Sequence, residues 1–447
     1  MNRTTVALAA ACGSLASLTP IVKADRISDI VPVRLAHNEQ GGLRRIVSTT
    51  AGGYGCRGSG AWFAPVAGQN LGSTVTGISP DGLVAVGWSL ASAPDGSGPV
   101  PSSFTWTPCD GEGPIENAPG SVGGQALAAS VGGDVVVGIA HGSNDTGFRQ
   151  FAANAVDLIV DQSAHHATSL RGVSADGDVV VGSGADAIGH QALMFVDGWD
   201  HVRSLGDLTG GNAWSDAYGV SANGQVVVGQ SFSPMGPQAF VWTDDAGMIG
   251  LGDLPGGSFD SAALAVSANG LVIVGVATSA QGPQAFRWTA QSGMVGLGDL
   301  PGGAFGSEAL AVSADGTVIV GRSLTANGYE AFIWDAASGM RNLRSLIVNR
   351  LGVDTDVPLL TAANGISADG TIIGGSAITA GINQGWVSRL PRPLCVADWN
   401  HDGLNNSLDY FAFLQSFFAG TADVNGDGTT DTSDFFAFLT AFFTGCQ

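Results

Sequence analysis

The sequence predicts a mainly β protein: a seven-bladed β-propeller of four-stranded repeats, followed by a small all-α module of two calcium loop–helix units. Three observations predict it. A phrase of apolar residues, serine, a turn and a Val/Ile run ending in glycine occurs seven times, at serine-to-serine intervals of 51, 44, 47, 46, 46 and 54 residues. Glycine is abundant, 68 residues against 18 prolines, and has no collagen-like period, as many tight turns between short strands require. Two Asp- and Asn-rich loops near the C-terminus, each followed by a Phe-rich segment, stand 25 residues apart.

The first element is a leader. Arg3 supplies a short positive region, Val6 to Leu18 a small apolar core, and Val22-Lys23-Ala24 a small-residue site before Asp25. This pattern predicts a signal peptide over residues 1–24, cleaved after Ala24, and hence a secreted or cell-surface-associated protein. The apolar run is shorter than the roughly 18 residues a membrane span needs. A lipoprotein site at Cys12, after Ala9-Ala10-Ala11, is disfavoured because the apolar core continues past the cysteine. Residues 25–60 form an N-terminal segment ahead of the repeats. The mature chain keeps Cys56, Cys109, Cys395 and Cys446, an even count that in an exported chain suggests two disulfides. Of the three possible pairings, Cys395–Cys446 brackets the C-terminal module and Cys56–Cys109 lies near the start of the repeats. Four unpaired thiols are the alternative.

Net charge is −21, from 38 acidic and 17 basic residues, and Lys23 is the only lysine. Nothing forms the basic footprint a nucleic-acid partner requires. An acidic surface suits calcium and extracellular solubility. Sparse charge (12%) with apolar residues spread along the chain argues against disorder.

The repeats are expected over residues 61–390. Their serines are Ser79, Ser130, Ser174, Ser221, Ser267, Ser313 and Ser367. Most are followed by Asp-Gly or Asn-Gly after one residue, pairs that tolerate positive φ in a tight hairpin turn. The flanking runs, such as Ala265-Val266 and Val272-Ile273-Val274, are apolar and β-branched, as buried strands should be. A third strand reads Ala239-Phe240-Val241-Trp242, with copies at Ala285 to Trp288 and Ala331 to Trp334. Its Phe and Trp, two apart, share one face and can fill the space between packed sheets. A short fourth strand follows at Met248 to Leu251, Met294 to Leu297 and Met340 to Leu343. Four strands in a unit of about 46 residues favour a propeller over a parallel β-helix, whose coils are shorter. The seventh unit lacks a fourth strand, and the segment Ala61 to Val66 could supply it, joining the two ends of the repeat region in one blade.

These units resemble the extracellular HAF-type repeat family. The likeness rests on Gly-Leu-Gly-Asp-Leu-Pro-Gly-Gly (250–257 and 296–303), the Ala-Val-Ser-Ala-Asp/Asn-Gly turns and the Ala-Phe-x-Trp strands. It is strongest over residues 205–343 and implies an extracellular location without a particular reaction.

No catalytic constellation stands out in the repeats. His141, His165, His166, His190 and His201 have no zinc-ligand spacing to a second His or Cys. Asp207, Asp253 and Asp299 recur at one place in their units. A ring of carboxylates could bind a cation or sugar, but Asp after Gly more simply stabilises a turn through nearby backbone N–H groups. Trp106, Trp242, Trp288 and Trp334 could stack on sugars, but their fixed strand position favours packing between blades.

After the stiff linker Pro391-Arg392-Pro393, residues 394–447 change character. Asp398, Asn400 and Asp402 fall at positions 1, 3 and 5 of a twelve-residue loop with Gly403 at position 6. Leu404 would give its carbonyl at position 7, Asn406 act at position 9 and Asp409 close position 12. The second copy is Asp423, Asn425, Asp427, Thr429, Asp431 and Asp434, with Gly428 at the turn. Calcium is a hard cation that takes six to eight oxygens, and alternate loop residues can wrap it. Two ions are therefore expected. In the helices that follow, Phe411, Leu414 and Phe418 share one face, as do Phe436, Leu439 and Phe443, and those faces could bury against each other. So small a module needs metal and a disulfide as staples.

This pattern resembles the dockerin family, in which two loop–helix units dock onto a cohesin partner. Gly445-Cys446 looks like the GC-type variant at the ends of exported bacterial proteins. Loop positions 10 and 11 are Ser407-Leu408 in one copy and Thr432-Ser433 in the other, so the two docking faces differ, unlike the cellulosomal pattern. The resemblance implies a cohesin-like or surface-anchoring partner. The sequence thus reads as a non-enzymatic exported protein whose propeller is a binding or display scaffold. The alternatives are a polysaccharide-active or a carbohydrate-binding propeller delivered by the same tail.

Overall fold

The computed structural model describes residues 35–37, 43–45, 62–66, 71–92, 98–151, 156–158, 166–185, 189–196, 202–351, 357–390, 399, 407–420, 422, 424 and 430–444. The expected signal peptide lies outside them. Two compact units are distinguished, residues 1–47 and 48–447. The first contains an antiparallel pair, Leu35–His37 with Leu43–Arg45.

The second contains seven four-stranded antiparallel sheets, the blades of a propeller. Blades are numbered here from the sheet that starts at Ser73. Blade five is typical, with strands Gly256–Val266, Ile273–Ser279, Gly282–Thr289 and Gly293–Gly296. Six blades are contiguous in sequence. Blade seven takes its outer strand from the other end of the repeats: Trp62–Val66 pairs antiparallel with Ile382–Arg389, from Trp62 opposite Arg389 to Val66 opposite Gly385. The expected closure is therefore formed, and it removes the free edge an open ring would leave.

The drifted second unit also makes a full blade, Gly123–Ala129, Val135–His141, Thr146–Phe151 and Val156–Leu158. The long interval before the last serine holds a helix the sequence reading did not anticipate, α1 (Leu343–Leu351). Its Leu343 and Ile347 are buried with Leu360 and Trp386. Repeat regularity hid it, because the other blades have no counterpart.

Each repeated turn is built on its serine. All seven serines are at most 1% exposed. In blade five, Ser267 N–H donates to the Val272 carbonyl (2.8 Å), and Val272 N–H donates to Ser267 Oγ (3.0 Å). Ser267 Oγ in turn donates to Asn269 Oδ1 (2.8 Å). The turn is thus a longer loop than the expected two-residue hairpin. Only its glycine takes positive φ, 76° at Gly270, where a side chain would be strained. The preceding Asp or Asn contributes its side-chain oxygen rather than an unusual backbone.

The turns link the blades near the axis. The residue after the serine donates its N–H to its counterpart in the next blade: Val131 to Ala175, Ala175 to Ala222, Ala222 to Ala268, Ala268 to Ala314, Ala314 to Ala368 and Ala368 to Pro80, at 2.7–3.2 Å. The seventh link would need an N–H from Pro80, which proline lacks. At that seam Gly132 N–H donates instead to Asp81 Oδ2 (2.8 Å).

Blade faces pack through apolar side chains. Phe104, Phe240, Phe286 and Phe332 are at most 1% exposed. Trp106 and Trp242 are buried with Phe104 and Phe240, and Trp288 and Trp334 pack, partly buried, against the clusters that hold Phe286 and Phe332. In five blades a glycine at the end of the Val/Ile run pairs with the Phe: Gly87 with Phe104, Gly138 with Phe148, Gly229 with Phe240, Gly275 with Phe286 and Gly321 with Phe332. At Gly275 an added Cβ would lie 2.0 Å from the Ala262 carbonyl oxygen, so only glycine allows the two strands this approach.

Candidate functional site

The C-terminal module contains α2 (Ser407–Phe418) and α3 (Thr432–Thr444). Nine of the twelve expected calcium positions, Asp398, Asn400, Asp402, Leu404, Asn406, Asp423, Asn425, Asp427 and Thr429, lie outside the described residues. Asp409, Asp431 and Asp434 are described. Asp409 and Asp434 are each the third residue of a helix, and both are 0% exposed. Asp434 Oδ1 accepts from Val424 N–H (2.7 Å) and its Oδ2 from Asp431 N–H (2.9 Å). Asp431 caps α3, its Oδ1 accepting from Ser433 N–H (2.7 Å), as an N-cap carboxylate does. Among the described residues, no three His, Cys, Asp or Glu side chains converge. Buried carboxylates are costly unless hydrogen-bonded or paired with a cation, and two occupy equivalent places here.

Of the expected faces, only Leu414 and Leu439 pack inward. Phe413 and Phe438 are 0% exposed and stack at 3.9 Å between ring centroids, with their planes nearly parallel. Tyr410, Phe417, Phe435 and Phe442 pack around them with Leu414, Leu439 and Trp399. Phe411, Phe418, Phe436 and Phe443 are 64–81% exposed. Each helix carries two adjacent apolar stripes, one containing Phe413 and Phe417 and the other Phe411 and Phe418. Helical periodicity cannot choose between them, so the pairing of the helices decides. Each copy leaves two phenylalanines uncovered.

Cys109 is disulfide-bonded. Cys56, Cys395 and Cys446 lie outside the described residues, and so do the pairings expected of them.

A second candidate is the central channel, about 790 Å³, walled by the first strand of all seven blades and by the following turn of six. Every first strand has a register shift at the equivalent residue, Thr76, Leu127, Arg171, Tyr218, Leu264, Leu310 or Asn364, and blades three, five and seven have a second shift nearer the start of the strand. A bulge inserts an unpaired residue and re-aims its side chain, and all seven of these residues line the channel. Sequence reasoning missed them. The signal was the one variable position inside an otherwise repeated strand, just before the Gly or Ala that precedes the apolar residue and the serine.

Around this ring the chemistry is uneven. Thr76 Oγ1 donates to the Ala126 carbonyl (2.6 Å) and Asn364 Nδ2 to the Val75 carbonyl (2.7 Å). The Arg171 guanidinium lies over the Tyr218 ring, 5.4 Å from its centroid, in cation–π contact. Tyr218 Oη donates to Asp216 Oδ2 (3.3 Å), and Asp216 Oδ1 lies 2.6 Å from His190 Nε2. Burial foremost, then the Asp216 charge, pushes the Tyr218 phenol well above its ordinary value, so it stays a protonated donor. His190 stacks on Trp214.

The recurring aspartates behave as turn residues where their bonds are resolved. Asp253 accepts from Leu254 N–H and Asp260 N–H, both at 2.8 Å. Burial nevertheless raises its carboxyl above the ordinary range. Asp207 Oδ2 instead accepts from Gln191 Nε2 (3.1 Å).

No family model matches the chain, and no curated protein does. Several solved structures are similar in fold. An oligogalacturonate lyase in complex with manganese is 12% identical, with a TM-score of 0.49, covering 74% of this chain and 97% of that one. The β-propeller domain of the Trilobed protease from Pyrococcus furiosus, described as having an open velcro topology, is 10% identical with a TM-score of 0.49, covering 72% and 94%. TolB from Acinetobacter baumannii is 12% identical with a TM-score of 0.40, covering 57% of this chain and 62% of its own.

Proposed function

We propose that this is an exported, non-enzymatic repeat protein whose propeller is a binding or display scaffold and whose C-terminal module is its attachment device. The module binds two calcium ions and docks, calcium-dependently, onto a cohesin-like or surface-anchoring protein. The observation that carries this reading is the duplication seen in α2 and α3. Asp409 and Asp434, at position 12 of the two loops, are both fully buried at the start of a helix. A carboxylate there closes a calcium loop when the preceding oxygens supply the rest of the shell. The four exposed phenylalanines supply the apolar area a docking partner would cover.

Calcium titration of the full mature chain by calorimetry tests the reading. Two ions are expected to bind, and Asp409→Ala and Asp434→Ala are each expected to lose one. A chain that binds no calcium, or two variants that retain both ions, would defeat it. With the metal sites established, pull-downs with and without chelator would identify the partner.

A further inference from the structure

The bulge ring shows which channel residues depart from the repeat. Three blades place leucine there, Leu127, Leu264 and Leu310, and blades one and seven bond their polar atoms to backbone. Blades three and four place Arg171 and Tyr218 side by side. Arg171 is exposed to the channel and has no carboxylate partner among the described residues. It is also the only charged side chain among the described residues that line the channel. In a protein of net charge −21, a lone guanidinium within low-dielectric walls focuses a positive potential where the surface is otherwise acidic. A guanidinium presents a planar fork of donors that matches a carboxylate in two bonds. Leu264 and Leu310, two and three blades further round the ring, offer apolar surface. The channel volume, about 790 Å³, falls in the range of small-molecule sites.

We infer that the channel binds a small carboxylic acid with an apolar body, its carboxylate on Arg171 and its body against Leu264 and Leu310. Tyr218 holds the guanidinium by its ring face, and Asp216 and His190 fix the phenol from behind. The inference deepens the reading of the propeller as a binding scaffold, on which it rests, and does not involve the calcium module.

Calorimetric titration of the full mature chain with octanoate tests it, with acetate and octanol as controls for charge without body and body without charge. Octanoate is expected to bind at least tenfold more tightly than either. Arg171→Leu is expected to weaken octanoate at least tenfold and to fold, since three blades carry leucine at the same place. Leu310→Glu, which sets an opposing charge across the channel, is expected to do the same. Chelator is expected to leave octanoate binding unchanged, so failure here and failure of the calcium reading are told apart. No octanoate binding, equal binding of acetate or octanol, or octanoate affinity unaffected by both variants would overturn the inference.

Discussion

Asp81 Oδ2 accepts a hydrogen bond from Gly132 N–H at 2.8 Å, across the one seam of the propeller where the inter-blade backbone link is missing. Pro80 removes the donor, and the carboxylate of the next residue spans the gap. Asp81 Oδ1 also takes Ser79 Oγ (2.6 Å) and Leu83 N–H (3.2 Å). One side chain therefore holds both its own turn and the seam. The Asp134 carboxyl nearby is raised by burial and then by the Asp81 charge.

Replacing Asp81 with Ala should therefore cost more than the same change at Asp176, whose bonds from Ser174 Oγ and Asp178 N–H stay within its own turn. The expected difference is about 1 kcal/mol, the net worth of the seam bond. In the Asp81→Ala background, Pro80→Ala restores an N–H that can reach the Val131 carbonyl and should regain part of the loss. A double-mutant cycle by urea unfolding measures this coupling.

Gly275→Ala would place a Cβ 2.0 Å from the Ala262 carbonyl oxygen and 3.0 Å from the Ala263 Cα. Both neighbours are backbone and cannot give way without breaking the strand pairing. A loss of about 3 kcal/mol or more is expected in the same assay.

Asp315 gives a pH dependence. Burial opposes its ionisation, but hydrogen bonds from Ser313 and Thr317 outweigh it and lower the carboxyl below its ordinary 3.8. A lowered folded-state value contributes stability above the unfolded value and loses it as pH falls through the folded one. Asp315→Asn, a residue already used at Asn223 and Asn269, should remove this contribution. The stability gap between wild type and variant, from urea midpoints at pH 6 down to pH 2.5, should narrow toward acid.

In the C-terminal module, Phe413→Ala should lower the opening free energy of α2 and α3 by about 3–5 kcal/mol, the range for a buried phenylalanine. Phe418→Ala should change it by no more than about 0.5 kcal/mol. Amide hydrogen exchange over residues 407–444 reads both. Equal effects would contradict the packing seen here.

Most of the propeller was legible because a repeat states the same physical problem seven times. The serine turns, the Phe strands and the fourth strand borrowed from Trp62–Val66 all follow from pattern and from the need to close a ring. α1 was not legible, since it occurs once and leaves no period. The buried stripe of α2 and α3 was not legible either, because both stripes are equally apolar.

By itself the sequence determined the number of blades, their strands and the duplicated C-terminal module, since hydrophobic period and turn chemistry act over a few residues. Only the tertiary structure decided what those pieces face. Seven bulges bring Arg171 and Tyr218 into one channel, Asp81 bridges to Gly132, and Phe413 rather than Phe411 meets its partner. Each of these depends on contacts between segments dozens of residues apart, and no local pattern encodes them.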